Sequence, residues 1–157
     1  MTNSPTSTHL QAFIESKGGK QDRYISGYRN VINRALALNE SGVDAQLAIE
    51  TSGHAAFKEN YFLDDGAYVI AKILMLLPRL KEEQLTLEAI IQGLRQPVEV
   101  QEIRLGLTSD HPQQRGKEII QRLSDALKKY PGMKLQPENQ EGIRYDLKGC
   151  LLYTSDA

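Results

Sequence analysis

The chain has 157 residues, 40% of them apolar and 25% charged, a composition typical of folded domains that argues against wholesale disorder and fibrous repeats. Its length allows one ordinary domain or two small ones, with a real core. Nineteen Lys and Arg against twenty Asp and Glu give a net charge of −1, so there is no global field to hold a nucleic-acid backbone or an anionic membrane, and any phosphate must be held locally.

The segment Met1 to Ser7 is polar and has neither the charged nor the apolar region of a secretory signal. A helix is predicted over residues 8–15, where Leu10, Phe13 and Ile14 recur at helical spacing, Ser and Thr precede it as N-caps, and Gly18-Gly19 end it. A short strand over 23–25 meets Gly27, and a helix over 28–39 presents Val31, Ile32, Ala35 and Leu38 on one side. The compact apolar run 45–50 reads as a buried strand of a parallel sheet. Asp64-Asp65-Gly66 then opens a strongly apolar helix to about residue 77, with aspartates favouring its N-terminus, Leu74 in the core and Pro78 as its stop. Its apolar stretch Ile70–Leu77 contains Lys72 and is far shorter than the roughly 20 residues of a membrane span.

Thr86 caps a further predicted helix over 87–94, and Gln96-Pro97 breaks the pattern, placing a linker near Arg95–Val98. Beyond it, Val98, Val100, Ile103, Leu105 and Leu107 suggest a strand with one register break. A helix over 113–129 is expected to bury Ile119, Ile120, Leu123, Ala126 and Leu127, and a strand to use Ile143, Tyr145 and Leu147. Alternating strand and helix before residue 95 indicate a three-layer α/β/α domain (1–95) with a mainly parallel sheet. The later order indicates an incomplete small α+β domain (98–149). Cys150 is the only cysteine, so there is no disulfide framework and a cytoplasmic setting is the default.

The chemistry concentrates in Glu50-Thr-Ser-Gly-His54 and the following Phe57-Lys-Glu59, where a buried strand meets a loop. Such strand ends line ligand crevices in open α/β sheets. Glu50 can accept hydrogen bonds from sugar hydroxyls, Ser52 can donate or accept one, Gly53 permits close backbone approach, and Lys58 offers charge to phosphate. Together they suit a phosphorylated polyol. From the residues alone, His54 either transfers protons near neutral pH or simply donates a hydrogen bond, and the whole cluster competes with a capped turn.

The same residues, with Asp64-Asp65-Gly66 and the turn Ile25-Ser-Gly-Tyr-Arg-Asn30, resemble the third domain of phosphomannomutases and phosphoglucomutases of the α-D-phosphohexomutase family. The resemblance runs from about Thr2 to Leu147 and includes part of a fourth domain. It departs from the family loop at Ile49 and Thr51, and some relatives carry histidine where Tyr28 stands. It implies an isomerase that interconverts hexose 1-phosphate and hexose 6-phosphate through a hexose 1,6-bisphosphate intermediate. Glu50 and Ser52 would be the principal sugar ligands, with His54 nearby.

The resemblance further implies that Mg2+ and the phosphorylated serine belong to N-terminal domains of a longer enzyme. Neither the serine loop nor an Asp-Gly-Asp loop occurs in this sequence, so the chain is expected to be inactive alone. The first strand, expected before Thr6, is almost wholly missing on this reading, which leaves a sheet edge open. An Arg-Pro-Ser-Gly-Thr-like phosphate loop does not follow Tyr145, and residues 150–157 read as a non-native tail. The competing class is a non-catalytic sugar-phosphate binding module. His9 and His111 read as structural, Asp64 and Asp65 as helix caps rather than metal ligands, and Ser52-His54-Glu50 lacks a nucleophile elbow. Mannose and glucose are not distinguished by the loop.

Overall fold

A computed structural model describes residues 1–95, 99–136, 141–147 and 150–154. The chain forms two compact units, Met1–Gln96 and Pro97–Ala157. Most of the expected linker, residues 96–98, lies outside the described residues.

In the first unit the order is β1 (Thr2–Asn3), α1 (Thr8–Ser16), β2 (Arg23–Tyr24), α2 (Tyr28–Glu40), β3 (Leu47–Ile49), β4 (Ala55–Phe57), a 3-10 turn (Lys58–Asn60), α3 (Gly66–Glu82) and α4 (Leu87–Ile90). The sheet order is β2-β1-β3-β4. β1 pairs parallel with both β2 and β3, and only β4 is antiparallel, so the sheet is mainly parallel. The chain moves one way from β1 to β2 and the opposite way from β2 to β3. Right-handed crossovers therefore put α1 and α2 on opposite faces. This reversal also corrects the expectation of an open edge at the first strand: Thr2–Asn3 is interior, between β2 and β3.

The core lies where α2 meets the sheet. Val31 and Ala35 pack with Ala48 of β3, Ala56 of β4 and Phe62, and Met1, Ile32 and Ala45 close over them. Three of the five buried members are alanines, which lets the helix and the hairpin approach closely. The Ser7 side chain caps α1 by accepting from Leu10 N, and Asp65 caps α3 by accepting from Tyr68 N, as the sequence signals predict.

Several expectations are corrected. β4 was not anticipated, because a three-residue run is too short to show alternation. Its register, Leu47↔Phe57, Ala48↔Ala56 and Ile49↔Ala55, is set by pairing alone. Helix α3 runs through Pro78 to Glu82. Proline removes the donor to the Leu74 carbonyl, but Leu74 is 56% exposed, so water can take that acceptor. Leu74 is therefore not a core residue, and the buried position of the helix is Leu80. Helix α4 ends four residues early in tight turns, with Leu94 N donating to Ile91 O at 2.8 Å.

In the second unit α5 (Pro112–Leu127) accompanies an antiparallel sheet β5-β6-β7 made of Lys134–Leu135, Ile143–Leu147 and Cys150–Thr154. Residues 99–108 have no regular secondary structure, and Val100, Ile103 and Leu105 are all more than three-quarters exposed. Among the described residues the strand expected there has no partner to satisfy its backbone groups, and alternation without a partner makes no sheet. In α5 the buried residues are Ser124 and Leu127, whereas Ile119 and Ala126 are exposed. The helix turns Ser124 inward because its hydroxyl meets the buried Tyr145 OH at 3.0 Å. The strand Cys150–Thr154 pairs with β6, where no element was anticipated.

Candidate functional site

β1, β2 and β3 are parallel, so their C-terminal ends share one edge of the sheet. Onto that edge open Ser4, the turn Ser26-Gly27, and the loop Glu50–His54. The chain reverses direction between β1 and β3, and crevices beside such reversals are where open α/β sheets bind ligands.

The loop closes the β3–β4 hairpin. Glu50 N donates to His54 O at 2.9 Å and Gly53 N donates to Glu50 O at 3.0 Å. Gly53 has φ +96°, and a Cβ there would meet nothing within 4 Å. Glycine is thus required by the backbone conformation, and the space above it is open. Asn3, buried at the end of β1, anchors the loop from below. Its Oδ1 accepts from Thr51 N and its Nδ2 donates to Thr51 Oγ1, both at 3.2 Å.

Glu50 is held from a third element. Its Oε1 accepts from Gly27 N at 2.7 Å, at the start of α2, where the N-cap Gly27 has no side chain of its own to cap the helix. The carboxylate therefore complements the positive end of α2. Gly27 has φ +110°, and a Cβ would come within 3.0 Å of Asn30 Nδ2, so glycine presents this N–H. Ser52 Oγ lies 3.5 Å from Glu50 Oε2, at the outer limit of a hydrogen bond. One Glu50 oxygen is anchored, and the other shares its surroundings with the exposed Ser52 hydroxyl.

His54 is fixed on two sides. Nδ1 lies 2.6 Å from Asp64 Oδ2, and the ring stacks on Tyr28 with centroids 5.2 Å apart and planes at 24°. Arg29 Nε donates to the Tyr28 hydroxyl at 3.1 Å. A shallow cleft is lined by Tyr28, Val31, Glu50, His54, Ala56 and Asp64. Lys58 is not brought to this cleft. It follows the other end of β4, its N–H donates to Gln46 O, and its ammonium pairs with Asp44. That hydrogen bond from Lys58, helped by Gln46, holds the Asp44 carboxyl below the usual carboxylate range.

Of the motif residues, Glu50 and His54 line the cleft, while Ser52 and Gly53 lie between them on the loop, outside its lining; Asn3, the Gly27 N–H, the stacking of Tyr28 and the His54 contact of Asp64 are additions to the motif. One signal was available for Asp64. Two adjacent aspartates precede α3 and one cap suffices, so the second was spare. Asn3 offered none, since its partner lies 48 residues away. Among the described residues no three His, Cys, Asp or Glu side chains are grouped to hold a metal ion.

The family description "Phosphoglucomutase/phosphomannomutase, alpha/beta/alpha domain III" matches residues 1–97. The phosphomannomutase/phosphoglucomutase proteins of two strains of Pseudomonas aeruginosa are each 31% identical over 102 residues, covering 64% of this chain and 20% of their own length. A solved phosphoglucomutase/phosphomannomutase family protein from Burkholderia thailandensis superposes with a TM-score of 0.67 at 26% identity, over 93% of this chain and 28% of that chain. The chain spans about a fifth of the length of the curated relatives it matches.

Proposed function

Since the chain belongs to the phosphoglucomutase/phosphomannomutase family, through the alpha/beta/alpha domain III that its residues 1–97 match, we propose that it supplies the sugar-recognition loop of an enzyme that interconverts hexose 1-phosphate and hexose 6-phosphate. The observation that carries this reading is the convergence of Glu50, Ser52 and His54 at the C-terminal edge of the sheet, with the Glu50 carboxylate fixed by the Gly27 N–H at 2.7 Å. A carboxylate with one oxygen anchored and the other held only by a long 3.5 Å contact from the Ser52 hydroxyl is suited to accept from a sugar hydroxyl, and the Ser52 hydroxyl can bond a neighbouring one. The space over Gly53 is open to at least 4 Å around a Cβ position, so the backbone there can be approached closely.

In such a reaction a sugar hydroxyl must lose its proton when it takes a phosphoryl group and regain one when it gives the group up. His54 is our assignment for that proton, because the Asp64 contact at Nδ1 leaves Nε2 for the substrate. Lys58, paired with Asp44, is assigned to support of the hairpin rather than to direct phosphate contact. Hexose 1,6-bisphosphate would be the intermediate.

Bound Mg2+ would stabilise the charge of the transferring phosphoryl group. The described residues do not fit that ion: Asp64 is taken up by His54, Asp65 caps α3, and no group of three ligating side chains exists among them. We therefore assign magnesium and the phosphoserine to N-terminal domains of a longer enzyme, and expect this chain alone to give no turnover of glucose 1-phosphate with Mg2+. No helix among the described residues is long and apolar enough to cross a membrane, and a cytoplasmic setting is part of the proposal.

NMR titration of this chain with mannose 1-phosphate and glucose 1-phosphate tests the reading. Saturable shifts at Glu50, Ser52 and His54 are expected. No shifts at millimolar ligand would refute retained recognition. Saturation in a protein that never turns over, even joined to its missing domains, would mark a binding module instead.

A further inference from the structure

The geometry points to Asp64 as a positioning residue that fixes the tautomer of His54, holding the proton on Nδ1 and leaving the Nε2 lone pair turned away from Asp64. The inference rests on the assignment of His54 to proton handling. It adds a residue that the sequence motif reads as a helix cap.

The two aspartates before α3 have different tasks. Asp65 Oδ1 accepts from Tyr68 N at 3.0 Å and its Oδ2 accepts from Asn60 Nδ2 at 3.3 Å, so capping is complete without Asp64. Asp64 stands in a single bridge to Ala56, the middle residue of β4. That bridge carries its side chain beside His54, two residues back along the chain from Ala56. Asp64 Oδ2 then lies 2.6 Å from His54 Nδ1, with Asp64 a quarter exposed and His54 half exposed.

A carboxylate only accepts hydrogen bonds, so at this distance the proton must be on Nδ1. In free histidine the neutral ring favours the proton on Nε2. The contact therefore reverses the intrinsic preference, and which nitrogen is protonated is set by the bond the other makes. Tyr28 stacked on the ring face restricts rotation of the imidazole. Its own hydroxyl is tied to Arg29. The ring is thus held by an acceptor at one nitrogen and an aromatic surface on one face, and its remaining nitrogen is a base. A histidine that only donated a hydrogen bond to ligand from Nε2 would need the other tautomer.

The test is a long-range 1H–15N spectrum of this chain at a pH well above the range in which imidazoles titrate. The protonated and unprotonated ring nitrogens of a neutral histidine resonate far apart, so the tautomer is read directly. The expected result is a dominant Nδ1–H form for His54, with a nuclear Overhauser contact from Hδ1 to the Asp64 β protons. Asp64→Asn should shift the populations toward Nε2–H, because a carboxamide can donate an N–H to Nδ1 as well as accept from it and so no longer opposes the intrinsic preference of the ring. Asp65→Asn, which alters the cap and the Asn60 contact but not the carboxylate facing His54, should leave the tautomer unchanged. A dominant Nε2–H form in the unaltered chain overturns the inference, as does an Asp64→Asn spectrum with unchanged populations. If Asp64→Asn fails to fold, the spectrum of the unaltered chain decides by itself. No ligand enters this measurement, so its failure is distinct from failure of the sugar-phosphate titration.

Discussion

Replacement of Asn3 by alanine isolates the contribution of the anchor beneath the Glu50–His54 loop. Asn3 is 4% exposed and makes two hydrogen bonds to Thr51, each at 3.2 Å. That length is at the long end of the normal range, so each bond contributes about 0.5–1 kcal/mol net. Thr51 is exposed, and water can satisfy its N–H and hydroxyl after the change, so no orphaned group adds to the cost. The sum is about 1–2 kcal/mol, which for a domain of this size lowers the thermal midpoint by roughly 4–16 °C. If the anchor is what keeps the loop in its binding form, the same energy weakens sugar-phosphate binding by about 5–30-fold. Thermal melts followed by circular dichroism and NMR titration with glucose 1-phosphate read the two effects separately. Thr51→Val keeps the backbone bond but leaves the buried Asn3 Nδ2 without its acceptor, so it should cost about 1–3 kcal/mol, no less than Asn3→Ala. A lowered midpoint with unchanged affinity would refute the claim that Asn3 orders the loop, and an unchanged midpoint would refute the energetics.

Glu50→Ala should abolish the sugar-phosphate shifts while costing only about 0.5–2 kcal/mol of stability, the usual range for losing a capping acceptor at a helix start; normal titration in the folded variant would remove Glu50 from the site. Val31→Ala, at a position 1% exposed in the core, should destabilise by about 1.5–3 kcal/mol in urea unfolding. Leu74→Ala, at a 56% exposed position, should cost clearly less, and equal losses would show that α3 is more deeply packed. Acid should also weaken the first unit. The Asp44 and Glu59 carboxyls are held below their ordinary range, chiefly by hydrogen bonds from Lys58 and Lys72. Each has a folded pKa below its unfolded one, so its stabilising contribution is complete above about pH 5 and is lost as pH falls through the lowered folded value. Midpoints measured from pH 7 down to pH 2 should fall less steeply in Asp44→Asn and Glu59→Gln than in the unaltered chain.

The elements legible in the sequence are those whose signal is local. Ser7 and Asp65 announce helix starts because a cap acts within three residues, and α2 is readable from its own apolar spacing. The motif Glu50–His54 is legible because every member sits within five residues of chain, on a single turn. Leu74 and the strand expected over 98–107 mislead for one shared reason. A hydrophobic pattern states what a segment would bury if something covered it, and coverage is decided by other segments.

What the sequence determines unaided is the α/β class, the mainly parallel sheet of the first unit and the helix caps. Each follows from steric, hydrogen-bonding or hydrophobic preferences that act along the chain. Only the tertiary structure joins Asn3 to Thr51, Gly27 to Glu50 and Asp64 to His54, and only it separates Lys58 from the cleft. These pairs lie between 10 and 48 residues apart. The first two meetings are fixed by the order in which parallel strands enter the sheet, which carries the strand ends to a common edge, and the third by the antiparallel bridge of Asp64 to Ala56.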